Sequence, residues 1–254
     1  VVLQEQPRQH DRLEGPLLER LVAEERVSLA ARPALPKRLH FALVRQQPLR
    51  YGENPHQSAA LYVGAERRPG VASAVQLQGK ELSFNNLNDT DAAYELGAEF
   101  DDIACAIIKH GNPCGAAVGN DLGESYRLAR ESDPVSAFGG IATFHGAIDA
   151  SAAEAMTEKG NFLEVVVGTS FSEEALEIFR ARSGWGQDVR LLEAPLPEAK
   201  SDLHLKSLRG GLLVQDSDED PRKDWTIATT RKPTESEFAA MKLMWCVVPH
   251  VKSN

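Results

Sequence analysis

The sequence predicts an α/β fold built in layers, and three observations carry that prediction. Short apolar runs alternate with amphipathic stretches of helix length through the middle of the chain, the pattern of a sheet with crossover connections. Gly, Pro, Asn and Asp cluster between these segments, where turns are needed. One run, Ala104-Cys105-Ala106-Ile107-Ile108, has the unbroken apolar character of a short buried strand.

The elements follow in order. Leu39 to Leu49 mixes apolar and basic residues and reads as a first strand, after which Gly52 and Asn54-Pro55 enforce a turn. Ser58 to Val63 and Val71 to Leu77 read as strands. Asn88-Asp89-Thr90-Asp91 supplies helix-start residues, with Ala92 to Phe100 as the helix body. The buried strand runs to Lys109, and Gly111, Asn112, Pro113 and Gly115 are expected to force a turn behind it. A helix over Gly123 to Glu131, a strand over Gly139 to Phe144, a helix over Ser151 to Lys159, a buried strand over Phe162 to Val167 and a helix over Ser172 to Ala181 complete the alternation.

From Ser183 to Asp224 Pro, Asp, Glu and Gly become frequent. Arg209 to Asp216 reads as a turn followed by a strand, and Ser217 to Lys223 as a charged loop. Thr234 to Val248 reads as a helix, with Thr234 or Ser236 at its cap and Phe238, Met241, Leu243, Met244 and Trp245 on its apolar side. At the other end, Val1 to Arg38 is rich in Leu, Arg and Glu. Leu17, Leu18, Leu21, Val22 and Ala31 recur there at near-helical spacing, so a helix is expected over Gly15 to Ala31. Three parts result: an unassigned segment 1–38, the α/β layer 39–182, and a mixed, partly helical segment 183–254.

Composition bounds the function. The 254 residues are 42% hydrophobic and 26% charged, as in an ordinary globular chain able to bury a core. No apolar run approaches 18 residues and no signal-peptide pattern opens the chain, so a membrane partner is not expected and a cytoplasmic location is. Three scattered cysteines read as reduced thiols, not as a disulfide framework. A net charge of −9 argues against a nucleic-acid surface but leaves room for a phosphorylated small molecule, which needs only a few local cations.

Lys109-His110 is the chemically suggestive pair. A cation and an imidazole at the end of a buried strand sit where open α/β sheets place a ligand crevice. Low-dielectric surroundings disfavour the charged lysine, and the cation disfavours protonation of its neighbour, which leaves an imidazole able to take a proton near neutral pH. The segment alone equally fits a strand end carrying two solvated polar residues. A zinc site of the deaminase type is not expected. His110 is followed by Gly111 and Asn112, without the H-x-E glutamate, and Pro113-Cys114 is followed by Gly115-Ala116-Ala117, without the second thiolate.

Five blocks then decide between these readings. Arg50-Tyr51-Gly52-Glu53-Asn54-Pro55-His56-Gln57, Lys80-Glu81-Leu82-Ser83-Phe84-Asn85-Asn86, Lys109 to Gly115, Asp133-Pro134-Val135-Ser136-Ala137-Phe138-Gly139-Gly140 and Val251-Lys252-Ser253-Asn254 follow one another in this order. Together they resemble the transformylase part of the bifunctional family of purine biosynthesis, AICAR formyltransferase/IMP cyclohydrolase, over about Leu39 to Asn254. The resemblance implies a cytidine-deaminase-like α/β/α sandwich. It implies formyl transfer from 10-formyltetrahydrofolate to the 5-amino group of phosphoribosylaminoimidazolecarboxamide (AICAR), without a catalytic metal, in a homodimer or with a complementing polypeptide.

By the same resemblance Lys109 and His110 are catalytic, and Asn254 donates to the formyl oxygen. Arg50 and Tyr51 hold the nucleotide, Phe138 and Gly139 contact a planar ring, and Glu164 bonds ribose or base. Gly168-Thr169 departs from the family's more usual Ala-Pro, which weakens the Glu164 assignment. His56, Gln57, Lys80, Asn85 and Asn86 divide evenly between binding and loop structure. The cyclohydrolase motifs cannot be matched in 1–38, so that activity is not expected of this chain. The alternative is a truncated, non-catalytic relative that binds nucleotide weakly or serves as an assembly piece.

Overall fold

The structure is a computed structural model that describes residues 35, 37–64, 68–100, 103–195, 203–217 and 225–252. The chain divides into two units, Val1–His40 and Phe41–Asn254, and the described strands and helices all belong to the second. The helix expected over Gly15 to Ala31, most of the charged loop at Ser217 to Lys223, and Asn254 lie outside the described residues.

An antiparallel pair, β1 (Leu43–Leu49) and β2 (Ala59–Gly64), precedes the main sheet. The sheet is assembled from β3 (Val75–Gln78), β4 (Ala104–Lys109), β5 (Asn112–Val118), β6 (Gly140–Phe144), β8 (Leu163–Gly168) and β10 (Arg190–Glu193), in the spatial order β3-β10-β8-β6-β4-β5. Strands β6, β8 and β10 are parallel, whereas β4 runs antiparallel to β6, β5 to β4, and β3 to β10. A minor parallel pair, β7 (Ala147–Ile148) and β9 (Ser170–Phe171), sits beyond the ends of β6 and β8.

Alternation along the strands fills two cores, one on each face. Cys105, Ile107, Ala142, Phe144, Val166 and Leu191 point to one, and Ala104, Ala106, Ile108, Ile141, Val165 and Leu192 to the other. The first is covered by α2 (Leu122–Ser132), α4 (Ala150–Thr157) and α5 (Glu173–Ala181), through Tyr126, Met156 and Phe179 among others. The second is covered by α1 (Phe84–Gly97), through Ala93, Tyr94 and Leu96, with Cys246 and Val247 of α6 (Glu235–Val247). The result is the expected three-layer α/β arrangement, a mixed six-stranded sheet between helices. Among the described residues no helix is long and apolar enough to cross a membrane.

Each helix begins where a side chain can take the orphan amides of its first turn. Asp121 accepts from Glu124 N at 2.7 Å, Asp149 from Ala152 N at 2.9 Å and Ser172 from Ala175 N at 3.1 Å. Thr234 caps α6, with Glu237 returning the bond to the Thr234 amide at 2.8 Å. The helix expected to start at Asn88-Asp91 begins a turn earlier. Ser83 and Asn86 form a reciprocal capping box, which makes Asn85 and Asn86 helical residues of α1, not loop.

Other boundaries moved for physical reasons. Asn112, Pro113 and Gly115 do not make a turn; they lie in β5. Proline is tolerated there because β5 is the edge strand and its register slips by one residue opposite Ile107 and Ile108. Gly115 serves close approach: a Cβ on it would stand 1.9 Å from the Ala129 carbonyl oxygen of α2. Val71 to Leu77 divides into a 3₁₀ turn, Val71–Ser73, and β3. The sheet also extends past Arg182, since β10, four residues long, slots between β8 and β3. The turn at Arg209-Gly210 closes a hairpin of β11 (Leu203–Leu208) and β12 (Gly211–Asp216), whose first strand the sequence pattern had not marked.

The double-sided burial of β4 makes it sensitive to truncation. Ile107→Ala removes a fully buried side chain, and a loss of about 2–5 kcal/mol in urea unfolding is expected. Val44→Ala, on a residue 67% exposed in β1, should stay within about 0.5 kcal/mol. Equal losses at the two positions would contradict the assignment of the core.

Candidate functional site

The direction of β4 locates the site. Because β4 runs against β6, its C-terminal end meets the N-terminal ends of β6, β8 and β10. The end of β4 that carries Lys109 therefore lies at the amino edge of the parallel strands, not at their carboxyl edge. Lys109, Gly139-Gly140, Leu163-Glu164 and Arg190 all come to this edge.

Lys109 pairs with Asn112 across the end of the β4–β5 hairpin, leaving His110 and Gly111 as a two-residue loop. Both have positive φ, 53° and 68°. Positive φ at both central positions is the type I′ pattern, which matches the twist of paired strands. Glycine adopts it freely, whereas a histidine there needs support from its surroundings. The His110 amide donates to Asp89 Oδ2 of α1 at 3.0 Å. The His110 residue is exposed and Lys109 is half-buried. Lys109 Nζ donates to the Phe138 carbonyl at 2.6 Å.

Asp133 caps the short helix α3 (Pro134–Ala137) and accepts from Ser136 N at 3.0 Å and Ser136 Oγ at 2.6 Å. This fixes the turn at Phe138-Gly139, where Gly139 has φ 75°. The planar ring that Gly139 faces belongs to the chain itself: a Cβ there would stand 3.3 Å from Phe162, whose carbonyl accepts the Gly139 amide at 2.8 Å. Phe138, half exposed, packs on Phe162 at a centroid distance of 5.3 Å, and Phe162 on Trp185 at 6.0 Å.

Beyond Phe162 opens a cavity of about 580 Å³, whose lining includes Arg50, Tyr51, Lys80, Phe162, Glu164 and Arg190. The Arg50 guanidinium lies over the Tyr51 ring, 5.6 Å from its centroid. The loop that follows is tied down by Gly52 N donating to the Gln57 carbonyl at 2.9 Å and by Asn54 N donating to Gln57 Oε1 at 2.7 Å. Gln57 thus has a local structural role. Glu164 is not a free carboxylate, because Arg190 Nη1 reaches its Oε2 at 2.7 Å and Arg190 Nε donates to the Glu81 carbonyl at 3.1 Å. Lys80 is similarly engaged with Asp188 at 2.6 Å.

Of the predicted residues, Arg50, Tyr51 and Glu164 line the cavity. Phe138 and Gly139 adjoin it through Phe162, and Lys109 and His110 stand next along the same edge, outside the lining. Asn254 is outside the described residues, but Lys252 of its block lies against the turn. The Lys252 amide donates to Asn112 Oδ1 at 3.0 Å, and a Cβ on Gly111 would meet Lys252 Nζ. Cys114 is an unsuitable thiolate: burial and the nearby Asp133 carboxylate push its thiol up from the ordinary value. Sequence reasoning missed Arg190, Trp185 and Asp89. Arg190 and Trp185 fall in the mixed segment that begins at Ser183, where no element was expected around them, and Asp89 was read only as a helix-start residue.

The model of the AICARFT/IMPCHase bienzyme family matches residues 18–254. The chain belongs to this family. The match opens within the N-terminal segment to which no motif had been assigned, and it includes all five sequence blocks. Membership makes this a protein of a bifunctional enzyme family of purine biosynthesis.

The Arg190–Glu164 pair gives a test independent of activity. The side chains are 11% and 39% exposed, so Arg190→Met strands a part-buried carboxylate and should cost about 1–3 kcal/mol in urea unfolding. Adding Glu164→Gln should recover part of that loss. No loss for the single variant would show that the pair is dispensable to this edge.

Proposed function

We propose that this edge of the sheet carries out formyl transfer from 10-formyltetrahydrofolate to the 5-amino group of AICAR. The observation that carries the reading is convergence: Lys252, 140 residues beyond Asn112, docks on the turn that bears His110, next to a cavity offering Arg50 and Tyr51. Family membership supports the reaction class, and the same reading takes the three layers as a cytidine-deaminase-like sandwich.

The chemistry explains the residue types. The amine is a poor nucleophile because its lone pair is delocalised into the imidazole ring and the neighbouring carboxamide. His110 takes its proton as it attacks the formyl carbon. Lys109 has donors left after bonding the Phe138 carbonyl, and these stabilise the tetrahedral oxyanion and return a proton to the departing folate nitrogen. Asn254 offers a neutral amide to the same oxygen. Arg50 serves the phosphate with its forked donors and Tyr51 covers the heterocycle. Glu164, held by Arg190, presents its remaining oxygen to ribose or base. None of these steps calls on a metal.

A second reading is favoured by one observation. Trp225, Met241, Met244, Trp245 and Val248 form an exposed apolar face on and beside α6. That face supports assembly with a second copy or a complementing polypeptide, and hence a chain that scaffolds more than it catalyses. Turnover measurements separate the two. In an assembly competent for formyl transfer, His110→Ala should lower turnover about 10²–10⁴-fold, and Lys109→Met should do comparable damage while nucleotide binding partly survives. Near wild-type turnover in either variant would refute the catalytic reading and leave the scaffold.

A further inference from the structure

We propose that Asp89 is a positioning residue that sets His110 for proton transfer. The inference rests on the formyl-transfer reading for its activity arm, but its structural arm does not.

In a two-residue hairpin loop the amide of the first loop residue points away from the partner strand, so the β4–β5 ladder cannot satisfy it. His110 is that residue, and at φ 53° it is the only non-glycine with positive φ among the described residues. Such a conformation costs about 1–3 kcal/mol and persists where the surroundings over-determine it. Gly111 needs no such help. The support for His110 comes from outside the hairpin. Asp89, 21 residues earlier on α1, accepts the His110 amide at 3.0 Å, and its other oxygen accepts from Asn88 Nδ2 at 3.4 Å.

A carboxylate accepting from an amide makes a stronger bond than a neutral acceptor does. This bond ties the turn to the helix, not to the strand that carries it. Because the imidazole is exposed, no packing fixes its origin, and the backbone at His110 becomes the determinant of where the ring stands. Displacements of about 1 Å at a reacting group are enough to cost 10²-fold in rate. Asp89 therefore acts through His110, without touching a substrate.

The experiment uses the chain in an assembly competent for formyl transfer. Asp89→Ala should lower kcat about 10–100-fold while KM for both substrates stays within about twofold. Asp89→Asn, which keeps an acceptor at the same reach, should return to within about threefold of wild type. In a His110→Ala background, Asp89→Ala should cause no further loss, since a residue acting through His110 has nothing left to position. Wild-type kcat in Asp89→Ala, or the same fold loss with and without His110, would overturn the proposal. Should Asp89→Ala not fold, Asp89→Ser, too short to reach the amide, carries the same expectations. Amide exchange reads the structural arm alone. The His110 amide should exchange about tenfold faster or more in Asp89→Ala, with the Ile107 amide unchanged, and unchanged exchange at His110 would equally overturn the proposal. If the wild-type assembly transfers no formyl group, the formyl-transfer reading fails by itself and the exchange measurement still decides the role of Asp89.

Discussion

The antiparallel run of β4 beside β6 is the constraint on which the rest of the site depends. Ala104 to Ile108 is buried on both faces, and a one-residue slip would exchange the side chains assigned to the two cores. Ile107 faces Phe144 and Tyr126 in one core, and Ile108 faces Ile141 and Leu192 in the other. Packing of that kind admits a single register, and the register fixes where the strand must stop. Lys109 and His110 are thus positioned by apolar residues that take no part in chemistry. The opposed direction of β4 then delivers them to the starts of β6, β8 and β10, where Gly139, Glu164 and Arg190 already stand.

Held this way, the edge gathers pieces from distant parts of the chain through short polar links. Lys109 bonds the Phe138 carbonyl, Asn112 accepts from Lys252, Arg190 joins Glu164 to the Glu81 carbonyl, and Asn85 reaches the Glu53 carbonyl at 3.4 Å. Most of these bonds end on backbone carbonyls or amides. Their geometry is consequently set by the fold more than by rotamer choice.

Legibility in the sequence followed segment length and pattern. The run at Ala104 to Ile108, the helix at Ser172 to Ala181 and the capped helix at Thr234 were readable because apolar spacing and cap chemistry agreed. Arg190–Glu193 was not, since two buried leucines in a four-residue strand carry no periodicity to detect. The start of α1 was misread because Asn88 to Asp91 offered cap residues inside the helix, and only the Ser83–Asn86 pairing shows which cap prevails. The sheet direction at the site was also invisible. Strand composition does not state orientation, so the end of β4 was legible but not which edge of the parallel strands it would join. The motif residues themselves were legible from the five blocks, whereas their supports, Asp89 and Arg190, are ordinary charged residues that acquire a role through position alone.

Charge at the edge is more local than the net value of −9 suggests. Of the three cations lining the cavity, Lys80 and Arg190 are engaged by Asp188 and Glu164, while Arg50 lies over Tyr51 and has no carboxylate partner among the described residues. The Lys80–Asp188 pair is largely exposed and contributes little to stability, yet it sets a carboxylate against one of the cations of the lining. Arg190 is likewise set against Glu164. On the formyl-transfer reading proposed above, a phosphate would meet Arg50 as the lining cation that no described carboxylate engages. Each of the two ion pairs thus offsets a cation of the lining with a carboxylate.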